Sequence, residues 1–138
     1  TNSVYFEFQA NASSQSGYNE TITSTHFAAE HQEDDGGAAV AYWTAGDQAQ
    51  GTAYQRLTDT IGNGGNEGCA GELHLFNPSN TTYVKHFYAT LASYHGGNYE
   101  TNQFTAGYFN TTDNIDAVSF SMQSGNMDAG SIKMYGVG

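Results

Sequence analysis

Side chains able to do chemistry fall into three groups in this chain. Glu33, Asp34 and Asp35 form the densest acidic run and are followed directly by Gly36 and Gly37. Carboxylate oxygens on a glycine-loosened loop suit Ca²⁺, which takes about six to eight oxygen ligands. The spacing is not that of an EF-hand, so a solvated loop is the competing reading. Histidines stand at positions 26, 31, 74, 86 and 95. His74 and His86 flank the turn NPSN, which puts them on neighbouring strands with their rings facing across the pair. No spacing supplies the further ligands of a closed zinc site. Tyr42 and Trp43 are adjacent and suit stacking on sugar rings, with Tyr94, Tyr99 and Tyr108 as further aromatic surface. The same rings equally suit the core or an oligomer contact.

Catalytic signatures are missing around these groups. The sequence has no GxSxG elbow, HExxH, CxxC, Walker loop or GxGxxG, and this weakens hydrolase, metalloprotease, redox and nucleotide-binding readings together. Two of its 14 acidic residues meeting in a cleft would suit glycoside hydrolysis, but only the fold can place such a pair. The reading is therefore a protein that is not an enzyme. Formal net charge is −11, and Arg56, Lys85 and Lys133 are the only Lys or Arg residues. Nucleic acid is a poor partner for such a chain, because phosphate binding depends on clustered cations. No apolar run approaches the ~18 residues that a membrane-spanning helix needs, so membrane insertion is not expected.

The elements that position these residues follow from composition. A chain of 138 residues is expected to form one domain, residues 1–138. Leu, Ile, Val and Phe make up only 21 positions, whereas Tyr contributes 10 and Phe 8, so the core is expected to be built from rings and small residues. One Pro, 17 Gly and many Asn, Ser and Thr punctuate short alternating runs, which is the pattern of an antiparallel β-sandwich. SVYFEFQ turns Val4, Phe6 and Phe8 to one face. A strand around Ile22 is expected to change parity near Phe27, marking a bulge. AVAYWTA is a short strand or packing patch, and GTAYQRLTDTIG reads as strand or loop with some helical spacing. CAGELHLF points Leu73 and Leu75 inward and begins with Cys69, expected to be a buried, inert thiol. AVSFSMQ turns Val118, Phe120 and Met122 inward. SGNMDAG is then expected to loop back so that SIKMYG closes a hairpin with Ile132 and Met134 inside. About eight strands result.

TTYVKHFYATLASY is apolar on both faces, which implies cover by the opposite sheet and by another chain. Tyr83, Phe87, Tyr88 and Tyr108 are the expected interface residues.

TTYVKHFYATLASYH, AGYFNTTDNIDAVSF and SGNMDAGSIKMYG resemble the C-terminal half of virion structural proteins of tailed phages, especially those of marine and cyanobacterial hosts. In that family a YVKHF strand, a GYFNTT turn and a final SGN hairpin recur in this order. TSTHFAAEHQEDD and DQAQGTAYQRL are similar to its less distinctive N-terminal half. The resemblance implies a jelly-roll-like sandwich on the virion surface, as a capsid decoration (cement) protein or a fibre subunit. It also implies a homo-oligomer, a trimer, in contact with other virion proteins, and it brings no catalytic residue. Members carry a longer upstream segment, so an attachment element is expected before Thr1. The alternative is a carbohydrate-binding module at a fibre tip that uses Tyr42 and Trp43 on host glycans.

Overall fold

Alternating side chains with polar turns between them leave sheets as the means of burying the rings. The computed structural model describes residues 3–138. It is all-β, with no helix among the described residues, and consists of two antiparallel sheets packed together. The described residues form nine strands: β1 (Phe6–Ala12), β2 (Ile22–Gln32), β3 (Ala38–Tyr42), β4 (Gln48–Gly51), β5 (Gln55–Arg56), β6 (Cys69–Leu75), β7 (Lys85–His95), β8 (Tyr99–Phe109) and β9 (Ile115–Met122).

The smaller sheet runs β5-β1-β9, and the six-stranded sheet runs β3-β2-β8-β7-β6 with β4 also pairing to β2. The first two nested pairs, β1 with β9 and β2 with β8, are those of a jelly roll. Beyond them β8, β7 and β6 continue as a meander in one sheet. The β7–β8 hairpin turns through Gly96, Gly97 and Asn98. Asn98 takes the left-handed conformation at φ 64°, and its N–H donates to the His95 carbonyl at 2.9 Å.

Inward side chains of the two sheets meet in a ring-rich core. Phe8 is fully buried and takes Phe87 and Phe109 edge-on, at centroid distances of 5.1 and 5.9 Å. Ala10, Ala12, Ile22, Leu57, Ala89, Leu91 and Ile115 complete the cluster. Small residues make room for the rings. A Cβ on Gly107 would come within 2.9 Å of the Phe87 ring and 2.6 Å of the Thr23 carbonyl oxygen, so only glycine fits there without displacement.

Three sequence expectations are corrected. Cys69 is exposed because it opens an edge strand that pairs only with β7. Phe27 marks no bulge: Ile22, Ser24, His26 and Ala28 turn inward without interruption, so Phe27 lies on the outer face. The register shift in β2 falls between Ile22 and Thr23, against β4. GTAYQRLTDTIG is strand and loop, in line with its reading: Gly51 ends β4, Gln55 and Arg56 form β5, and Leu57 and Ile61 are buried from irregular backbone. The closing hairpin does not form. Residues 123–138 are exposed and in no strand, with Ile132 56% and Met134 79% exposed. The link Ser124–Gly130 is longer than the short turns that fix a hairpin and its register, so the alternation of SIKMYG does not by itself direct it back onto its own β9.

Candidate functional site: an aromatic sheet face

Since inward residues of β2, β7 and β8 make the core, those between them form the outer face of the larger sheet. The register aligns its rings in rungs. Tyr42 of β3 lies opposite Phe27 of β2, which lies opposite Phe104 of β8. On the next rung Thr25, Ala106, Tyr88 and His74 follow one another across β2, β8, β7 and β6. Thr23, Tyr108 and His86 make a third rung, beside which the Phe76 N–H donates to the His86 carbonyl at 2.9 Å.

These rings stack on one another. Phe27 and Phe104 are 4.8 Å apart at an interplanar angle of 11°. His74 and Tyr88 are 4.6 Å apart at 13°, and Phe76 lies 5.8 Å from Tyr88. Tyr108 meets His86 edge-on at 5.8 Å. Phe27, Tyr42, Phe76 and Tyr88 remain 40–53% exposed. A shallow, open depression of about 310 Å³ separates the stacks, with Thr23, Thr25, Ala106, His86 and Tyr108 in its lining. Large rings left in water on a flat sheet are the mark of a surface that binds something.

The expected interface residues divide. Tyr88 and Tyr108 share this face, and Tyr83 is 71% exposed in the loop before β7. Phe87 is corrected: it is 2% exposed, its parity sends it into the core, and its ring is unavailable to a partner. Tyr42 and Trp43 are not brought together either. Tyr42 faces outward, where the Asp47 carboxylate accepts its hydroxyl at 2.5 Å and holds the phenol pKa above its ordinary value. Trp43 instead packs on the buried His26 ring, 6.1 Å away, and near the Arg56 guanidinium, 5.8 Å from its ring. His74 and His86 lie one rung apart on the outer face, each against a tyrosine instead of against the other.

Glu33, Asp34 and Asp35 do not converge. Asp34 accepts the Gly36 N–H at 2.9 Å, and Asp35 reaches His31 at 3.1 Å. Among the described residues no group of three His, Cys, Asp or Glu side chains is placed to hold a metal ion. Phe27 and Phe104 are the face residues that sequence reasoning missed. The signal for Phe104 was shared parity with Tyr108 in QFTAGYF.

Titratable groups also gather between the sheets. His26 is fully buried, its Nδ1 within 2.9 Å of the Thr105 hydroxyl, and its Nε2 has no partner among the described residues. Burial, reinforced by the Arg56 charge and opposed by Asp59 and Asp47, lowers its pKa from 6.5 to about 4, so the ring is neutral near pH 7. Gly46 sits so close that a Cβ there would lie 2.6 Å from that ring. Arg56 holds Asp59 at 2.6 Å and stacks on Tyr5 at 4.2 Å. With the Gln103 amide oriented so that its nitrogen donates to the Leu91 carbonyl, its oxygen accepts the Asp59 N–H at 3.2 Å. His26, Thr101, Gln103 and Thr105 are each at most 2% exposed, so this network packs the interior instead of receiving a substrate.

Lys85 is buried as well. Its Nζ donates to the Tyr83 carbonyl at 2.7 Å and to those of Thr111 and Thr112 at 3.4 and 3.3 Å. One cation thus joins the YVKHF strand to the GYFNTT turn.

Comparison of the chain with protein families, with curated proteins and with solved structures finds no match.

Proposed function

We propose that this protein is a structural subunit of a bacteriophage particle, a capsid decoration or fibre component that works by docking the outer face of its larger sheet against further copies of itself. The observation that carries the reading is the array of stacked, half-exposed rings formed by Tyr42, Phe27, Phe104, Tyr88, His74 and Phe76. β2, β7 and β8 each have 11 residues, or about 35 Å at the usual rise, and five strands span about 20 Å. The resulting face of roughly 700 Å² approaches the ~800 Å² per partner of an ordinary stable interface. Resemblance of the YVKHF, GYFNTT and SGN segments to virion proteins supports the particle setting. The acidic exterior, at −11, favours solubility of particles that display many copies. Localising the protein on purified virions by electron microscopy tests the setting; absence from the particle rejects it.

A second reading has one observation in its favour. Phe27 and Phe104 form a nearly parallel, stacked pair beside Tyr42, whose hydroxyl is already fixed by Asp47, and the half-exposed rings of Phe27 and Tyr42 suit the apolar face of a sugar ring. A carbohydrate-binding module would lose glycan binding on Tyr42→Ala or Phe104→Ala while its oligomer mass stayed the same. The docking reading expects the mass to change instead.

A further inference from the structure

β9 is the outermost strand of the smaller sheet and among the described residues pairs only with β1, so one side of its backbone is a template for another strand. The sandwich is also open along this side. β9 starts where β6 has ended, the Ile115 N–H donating to the Pro78 carbonyl at 2.8 Å. Phe6, Val118 and Phe120 from the smaller sheet, with Leu73 and Leu75 from β6, pack on the core but are only partly buried. Gln55 and Leu57 at the β5 end of the smaller sheet, and Ile22 of β2, are at most 1% exposed. The core is therefore sealed on the β5 side and incomplete on the β9 side.

The chain carries a segment of the right pattern to seal it. Gln123 N–H donates to the Tyr5 carbonyl at 2.9 Å, and among the described residues no backbone hydrogen bond ties the chain beyond that point. Ser131–Tyr135 alternates apolar Ile132 and Met134 with Lys133 and Tyr135. In a strand laid on β9 with Ile132 and Met134 beside Val118 and Phe120, alternation sends Lys133 to the face of Glu7 and Asp116. Of the three Lys and Arg residues, Lys85 is buried and Arg56 holds Asp59. Lys133 is thus the cation available to those two carboxylates.

We propose that residues 124–138 are an exchange arm, and that Ser131–Tyr135 adds as a strand to the β9 edge of a second copy, where Ile132 and Met134 close the open seam. The occupant is a second copy because each chain's own arm stands exposed off its sandwich, although the link Ser124–Gly130 is long enough to turn back. Exchange of an identical element between protomers is a low-cost route to association. It uses the smaller sheet and does not rest on the role given to the outer aromatic face.

Disulfide trapping in the full chain tests this. In a Cys69→Ser background, Lys133→Cys is combined with Ser119→Cys or, separately, Ser121→Cys, and the proteins are oxidised. Exchange predicts covalent chains of copies on a non-reducing gel, with apparent mass roughly doubling at the first step. Adding Ile132→Asp and Met134→Asp is expected to abolish those bands, with circular dichroism confirming a folded sandwich. A bond confined within single chains overturns the proposal, since the arm would then close its own sheet. Absence of any bond at both positions overturns it too. Outer-face substitutions leave the covalent bands in place, so failure of the docking reading is distinguishable from failure of this one.

Discussion

Phe27 and Phe104 face each other across the β2–β8 ladder, their rings 4.8 Å apart and nearly parallel, on the side of the sheet turned away from the core. A cross-strand aromatic pair contributes about 0.5–1.5 kcal/mol beyond its buried area, which a folded chain could obtain equally well inside. Placed outside, the pair keeps apolar surface in water, and association removes that surface at about 25 cal/mol per Å². That is the surface the proposed docking would bury.

Rings on the inner side have a different part. Phe8→Ala would leave a cavity between Phe87 and Phe109 and is expected to destabilise the fold by about 3–5 kcal/mol. Tyr83→Ala, on an exposed loop, should change stability by less than about 0.5 kcal/mol. Urea denaturation midpoints of the two variants check the contrast. Equal shifts would mean that the core has been misassigned.

Acid should loosen the sandwich at His26. Its pKa in the fold, about 4, lies below the ordinary 6.5, so between these values the unfolded chain binds more protons than the folded one. Stability from the neutral ring is therefore complete above pH 6.5, declines as pH falls through that window, and is lost below about 4. A shift of this size corresponds to roughly 3 kcal/mol. Burial raises the Glu7 pKa above 4.5, which has the opposite sign: just above 4.5 the folded chain holds the extra proton, and stability falls as pH rises there. Denaturation midpoints measured from pH 7 to pH 4 should decline in the wild type and decline less in His26→Gln.

Lys85 gives a local test of the turn after β8. Lys85→Met fills similar space but removes the donor to the Tyr83, Thr111 and Thr112 carbonyls. Leaving such acceptors unsatisfied costs about 1–3 kcal/mol. Hydrogen exchange should accelerate around Thr111 and Thr112 more than in β2, and uniform acceleration would count against this account.

Much of the sandwich was legible in the sequence because one face of several strands is strictly apolar. SVYFEFQ placed Phe8 correctly, and CAGELHLF placed Leu73 and Leu75 on the inward side. Reading failed where the outside is as apolar as the inside. In β2 the large residue, Phe27, points out while His26 points in, so hydrophobicity alone inverted the face. Tyr42 and Trp43 were joined as neighbours, yet the outward turn of one and the packing of the other on His26 and Arg56 are tertiary facts. SIKMYG has the alternation of a strand, but alternation does not say which sheet, or whose, receives it.

Docking through the outer face is tested most directly by sedimentation equilibrium of the wild type beside Phe27→Ser/Tyr88→Ser at equal concentration. The predicted result is a wild-type mass that exceeds the variant's and rises with concentration, while circular dichroism shows both equally folded. Identical masses at every concentration would contradict it.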